Sequence, residues 1–189
     1  MTPAHPTRDL EGKVALVVGG SRGQGAACAE LLATRGATTV ISYAHGEHAA
    51  ARTLTALELT DLNTRSAFNT LRAAARHLAD HGRYVALTSS CAITPGGCGL
   101  YAAAKSAVER LVGAAARELT VREITVNAVA PGPVSDSIYL GTDSSELWPR
   151  HPRGRLGQPE DTALVVAWLV SEAAGWISGQ TIRADGGLS

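Results

Sequence analysis

The chain has 189 residues, enough for one domain with a buried core, and 45% of them are apolar against only 4% aromatic. That composition excludes a disordered chain and suits closely packed helices on a sheet. Lys plus Arg (17) balances Asp plus Glu (17), so no global field selects nucleic acid or an anionic membrane, and Arg150, Arg153 and Arg155 read as loop residues.

The N-terminal stretch MTPAHPTRDLEGK has neither the basic nor the apolar region of a signal peptide. Cys28, Cys91 and Cys98 match neither a disulfide framework nor zinc-ligand spacing, and the run Ala163 to Val170 is too short to span a bilayer. A cytoplasmic protein with reduced thiols and no metal is expected.

In chain order, Val14 to Val18 (VALVV) reads as a strand, followed at once by GGSRGQG and an Ala/Leu helix from Ala26 to Thr34. Gly36 closes that helix, and Ala37 to Tyr43 is a second strand. A helical pattern starts at Glu47 and runs through TLTALELTDLNTRSAFNTLR, residues 53 to 72, to about Ala79. Where a strand is due in the alternation, none occurs. Tyr84 to Thr88 is the third strand, Tyr101 to Leu119 a long helix, and Ile124 to Val129 a fourth strand ended by Pro131-Gly132-Pro133. Asp136 to Gly157 is a polar loop, Pro159 opens a helix over Glu160 to Val170, and Gln180 to Arg183 is the last strand. The alternation predicts a single α/β domain over residues 1–189, with a parallel sheet flanked by helices.

Two segments carry chemistry. The first is the turn between strand one and helix one, with glycines at 19, 23 and 25. Glycine permits a tight turn and close backbone approach to a pyrophosphate, and the helix N-terminus offers N–H groups and partial positive charge. Many strand–helix turns are Gly-rich for geometry alone, but this placement favours a dinucleotide. The second is Tyr101-Ala-Ala-Ala-Lys105, whose two polar side chains share one helix face. An ammonium beside a phenol favours the phenolate, so Tyr101 can exchange a proton with a hydroxyl or carbonyl. The bland reading is a surface pair. Ser89-Ser90, at the end of a strand, offers a hydroxyl to the reacting oxygen or else caps a turn.

The spacing Gly19-Gly20-Ser21-Arg22-Gly23-Gln24-Gly25, the YxxxK pair, Asn127 to Val134 (NAVAPGPV), GRLGQPED and SGQTIRADGG together resemble the short-chain dehydrogenase/reductase family. The resemblance implies a Rossmann-like fold and hydride transfer between a nicotinamide and a carbonyl or alcohol, as in ketone or 3-oxoacyl reductases. It implies a catalytic set of Ser90, Tyr101, Lys105 and Asn63, with Asn63 anchoring a proton-relay water; a helix cap is the other reading of Asn63. It makes Gly19, Ser21, Arg22, Gly23, Gly25 and Tyr43 cofactor-binding residues. Tyr101, Lys105, Pro131, Gly132 and Val134 complete the cofactor-binding set, with Lys105 holding the nicotinamide ribose. No acid follows strand two before Glu47, and Arg22 suits a 2′-phosphate, so NADP(H) is favoured with NAD(H) as the alternative. A homodimer or homotetramer acting on a small molecule is expected.

The match departs from the family at Val18, in place of a Thr, at Asp136, near which Ser135 or Ser137 would substitute for a Thr, and in a short loop from Ser90 to Tyr101. The largest departure is internal truncation. The block from the family's third strand to its fourth is missing, which leaves strand one an edge expected to pair with Tyr84 to Thr88. Two other readings follow from that gap: a catalytically impaired binding or interaction protein lacking a complete cofactor cleft, and an internally deleted reductase.

Overall fold

A computed structural model of the chain describes residues 7–42, 61–90, 99–135 and 151–189. The β-rich run Val14–Val18 forms β1, and helix α1 follows over Gly23–Thr34, starting earlier than its apolar pattern suggests. Gly36, at φ +100°, ends α1 in a Schellman turn: its N–H donates to Ala33 O and that of Ala37 to Leu32 O. Strand β2 is Thr38–Ser42. A π turn over Asp61–Arg65 leads into α2, Ser66–His77, and then β3, Arg83–Leu87. Helix α3 is Gly99–Leu119, β4 is Thr125–Pro131, α4 is Pro159–Leu169 and β5 is Thr181–Ala184.

All strand pairs are parallel, as the alternation predicts. Among the described residues they form two sheets, β1-β2 and β3-β4-β5. The expected pairing of β1 with Tyr84 to Thr88 is not found: among the described residues β1 ladders with β2 alone and β3 with β4 alone. The physical reason lies in what holds each piece. Helix α1 packs on α4, and a core of Leu10, Leu32, Ala37 and Ala167 seats Ala15 and Val17 of β1. Strand β3 is gripped on both faces: Tyr84 and Ala86 pack with Leu71 of α2 and Val108 and Val112 of α3, and Val85 and Leu87 pack with Cys28, Ala163 and Val166 of the α1–α4 layer. The outer face of β1 is left bare, with Val14, Leu16 and Val18 at 76%, 67% and 60% exposure.

The larger sheet is well covered. Every residue of β4 is buried. Cys28, Val129, Ala163, Val166 and Leu169 fill the space between that sheet and the α1–α4 layer. Asn127, at the centre of β4, is fully buried because it is satisfied: its amide donates to Ile177 O at 2.8 Å and its Oδ1 accepts from Gln180 N–H at 3.1 Å. No described helix is long and apolar enough to cross a membrane.

Candidate active site

The glycine turn sits where the sequence puts it. Gly19 takes φ +80° and Gly23 φ +57°, a region that side-chain-bearing residues rarely enter. A Cβ on Gly25 would lie 2.2 Å from the carbonyl oxygen of Gly19, so only glycine lets the helix start approach the turn this closely. Ser21 and Arg22 are exposed at the mouth of the turn, and no acidic side chain occupies the first turn of α1. The first N–H groups of a helix have no carbonyl partner within it, which leaves this end free to receive an anion. A surface cavity of about 350 Å³ lies beside it, lined by Gly20, Ser21, Ala26, Ala29, Glu30 and Ile41. These features fit a dinucleotide phosphate.

Helix α3 carries the second cluster. Lys105 Nζ donates to Leu87 O at 3.2 Å, at the end of β3, and lies 5.6 Å from the centroid of the Tyr101 ring. The ammonium is thus held over the Tyr101 ring. Burial pulls the Lys105 pKa down from 10.5 to about 8. Ser90 follows β3 at 2% exposure, two residues after Thr88, whose N–H donates to Val129 O at 2.8 Å. Asn63 lies in the π turn, a rare distortion that recurs at functional sites. Its neighbour Thr64 donates a hydrogen bond to Ala104 O at 3.1 Å, which ties this turn to α3 one residue from Lys105.

Past β4, Pro131 ends the strand, and Gly132 lies so close to Asp185 that a Cβ would stand 2.9 Å from the aspartate Cβ. Val134 is buried and bridges Gly157, presenting no polar group. Ser135 donates to Gln158 Oε1 at 3.0 Å. Tyr43, Asp136, Ser137, Cys91 and Cys98 lie outside the described residues. The structure therefore assembles the Gly19–Gly25 turn as one unit and gathers Tyr101 and Lys105 with the β3 end as a second, while no ladder joins the two sheets that carry them.

The family profile described as Enoyl-(Acyl carrier protein) reductase matches residues 54–189. Versicolorin reductase stcU of Emericella nidulans is 30% identical over 254 aligned positions, covering 94% of this chain and 96% of that one. The chain belongs to the short-chain dehydrogenase/reductase family. Its members among solved structures include a short-chain dehydrogenase/reductase from Serratia marcescens, 31% identical, with a TM-score of 0.81 over 96% of this chain and 99% of that one. A short-chain dehydrogenase from Burkholderia cenocepacia in complex with NADP superposes with a TM-score of 0.85 at 28% identity, over 95% and 99% of the two chains.

As a short-chain dehydrogenase/reductase the chain is an NAD(P)(H)-dependent oxidoreductase of carbonyl and alcohol substrates. The alignment to the Emericella relative is longer than the chain itself, consistent with an internal block that this protein lacks. Sequence reading passed over several residues that shape the site. Thr64 and Thr88 are unremarkable in sequence. Glu109 continues the i, i+4 face of Tyr101 and Lys105, a signal that was present in the spacing. Buried His151, whose Nε2 donates to Asp185 O at 2.9 Å while its Nδ1 accepts from Arg153 N–H at 3.2 Å, holds the C-terminal loop against Gly132 and had no visible motif.

Proposed function

We propose that this chain, despite its short sheet, reduces a small ketone or aldehyde with NADPH, using Ser90, Tyr101, Lys105 and Asn63. The observation that carries the reading is the Lys105 ammonium, anchored on Leu87 O and set beside the Tyr101 ring. When bound, the cofactor supplies the hydride. The Tyr101 hydroxyl gives its proton to the carbonyl oxygen, and the Ser90 hydroxyl donates a hydrogen bond to the same oxygen. Lys105 stabilises the phenolate that this transfer leaves, and reaches the nicotinamide ribose. Asn63 anchors the water through which Tyr101 is reprotonated. In the oxidative direction the same groups act in reverse.

Gly19, Ser21, Gly23 and Gly25 hold the pyrophosphate, Arg22 pairs with a 2′-phosphate, Tyr43 flanks the adenosine, and Pro131, Gly132 and Val134 wall the nicotinamide. Arg22 supports NADP(H) over NAD(H), being exposed at the mouth of the glycine turn. The chain acts as one cytoplasmic domain and engages neither nucleic acid nor membrane. An oligomer is supported by Leu164 and Trp168, one turn apart on α4 and both exposed, and by Trp176, which is 100% exposed ahead of the edge strand β5.

A panel of ketones and aldehydes with NADPH, run on wild type and Tyr101→Phe, tests the mechanism. Turnover lost in the variant supports it; equal rates overturn the role of Tyr101. The second reading, an interaction protein without catalysis, is favoured by the split between β1-β2 and β3-β4-β5. It predicts a folded protein with no turnover of any carbonyl.

A further inference from the structure

The α3 face that carries Tyr101 and Lys105 extends one more turn, to Glu109. Lys105 reaches Leu87 O at 3.2 Å, and the Thr88 hydroxyl donates to Glu109 Oε1 at 3.3 Å. Successive turns of the helix therefore hold successive residues at the end of β3. Ser89 and Ser90 come next in the chain. Thr88 is buried, and its N–H is already given to Val129 O, so the hydroxyl is its remaining donor. That hydroxyl stands 3.3 Å from Val129 O as well as from Glu109, and of the two the carboxylate is the stronger acceptor.

We infer that Glu109 is a positioning residue: through Thr88 it sets the strand end bearing Ser90 in register with the helix bearing Tyr101 and Lys105. It touches no reacting atom. A serine and a tyrosine that must meet on one oxygen come from two separate elements, and misplacement by about 1 Å costs on the order of a hundredfold in rate. The inference rests on the proposed reductase chemistry for its effect on turnover, but the tie itself is independent of that chemistry.

Hydrogen exchange on the full chain reads the tie directly, in wild type, Glu109→Ala, Glu109→Gln and Thr88→Val. Amides of residues 88–90 are expected to exchange about tenfold faster in Glu109→Ala and Thr88→Val, with the double variant no worse than either. Glu109→Gln keeps an acceptor oxygen and should match wild type. In ketone reduction, Glu109→Ala should lower kcat about tenfold with the KM for NADPH and the pH profile unmoved. Unchanged protection in Glu109→Ala overturns the inference. So does a Gln variant as damaged as Ala with its alkaline limb displaced, which would assign Glu109 a charge effect on Lys105 instead. If wild type turns over no carbonyl, the reductase reading falls and the exchange data still decide the role of Glu109.

Discussion

Lys105 Nζ donates to Leu87 O at 3.2 Å and lies 5.6 Å from the Tyr101 ring centroid, so one ammonium links the end of β3 to the phenol one helical turn away. Burial holds its pKa at about 8, below the ordinary 10.5. Reduction requires the cation beside Tyr101, so kcat/KM should fall as pH rises through about 8. A pH–rate profile flat to pH 10 would contradict this.

The same shift governs stability. Between about 8 and 10.5 the unfolded chain keeps a proton that the native chain has released, so stability from this group rises with pH across that window. Below about 8 the cost of burying the charge is present in full. Lys105→Met should therefore melt several degrees higher than wild type at pH 7 while losing turnover, with the stability gain shrinking above pH 8. Thermal melts across pH check both.

The glycine turn predicts two different outcomes for one substitution. Gly25→Ala puts a methyl 2.2 Å from Gly19 O, so the backbone must move, and NADPH affinity should fall at least about a hundredfold. Gly19→Ala meets nothing within 4 Å and pays only for its φ of +80°, about 1 kcal/mol of stability. Cofactor titration and melting of the two variants separate the effects.

Arg22→Ala should weaken NADPH binding about tenfold and leave NADH unchanged, as removal of a phosphate partner requires. An equal loss for both cofactors would place Arg22 on the pyrophosphate instead.

Asp161 closes a capping box at the start of α4, accepting from Gln158 N–H at 2.8 Å while pairing with Arg155. Chiefly the Arg155 hydrogen bond, and then that of Gln158, hold its pKa at about 2. Its stabilisation is therefore complete above about pH 4 and lost as pH falls toward 2. Solvent screens the ion pair, so Asp161→Ala should cost about 1 kcal/mol near neutrality, mostly through the cap. The difference from wild type should narrow in acid melts.

Element types and the two chemical clusters were legible because each rests on local rules. VALVV next to glycines makes a strand and a turn, and Tyr101 to Lys105 is one helical turn. Strand pairing was not legible, because it is set by packing between distant segments: Ala15 and Val17 of β1 seat on Leu32 and Ala167, while β3 lies between Val112 on one face and Val166 on the other. Contacts such as Thr88 with Glu109, or Thr64 with Ala104, join residues 21 and 40 positions apart and leave no periodic trace in the chain. The absent strand was legible as a gap in alternation, and among the described residues its structural counterpart is β1 paired along one edge, with β2.

The central claim is that this shortened chain still holds a nicotinamide cofactor. Titration of the purified protein with NADPH, followed by nicotinamide fluorescence, tests it most directly. Saturable binding below about 1 mM, tighter than for NADH, is the predicted result. A flat titration to that concentration with protein shown to be folded would contradict the account.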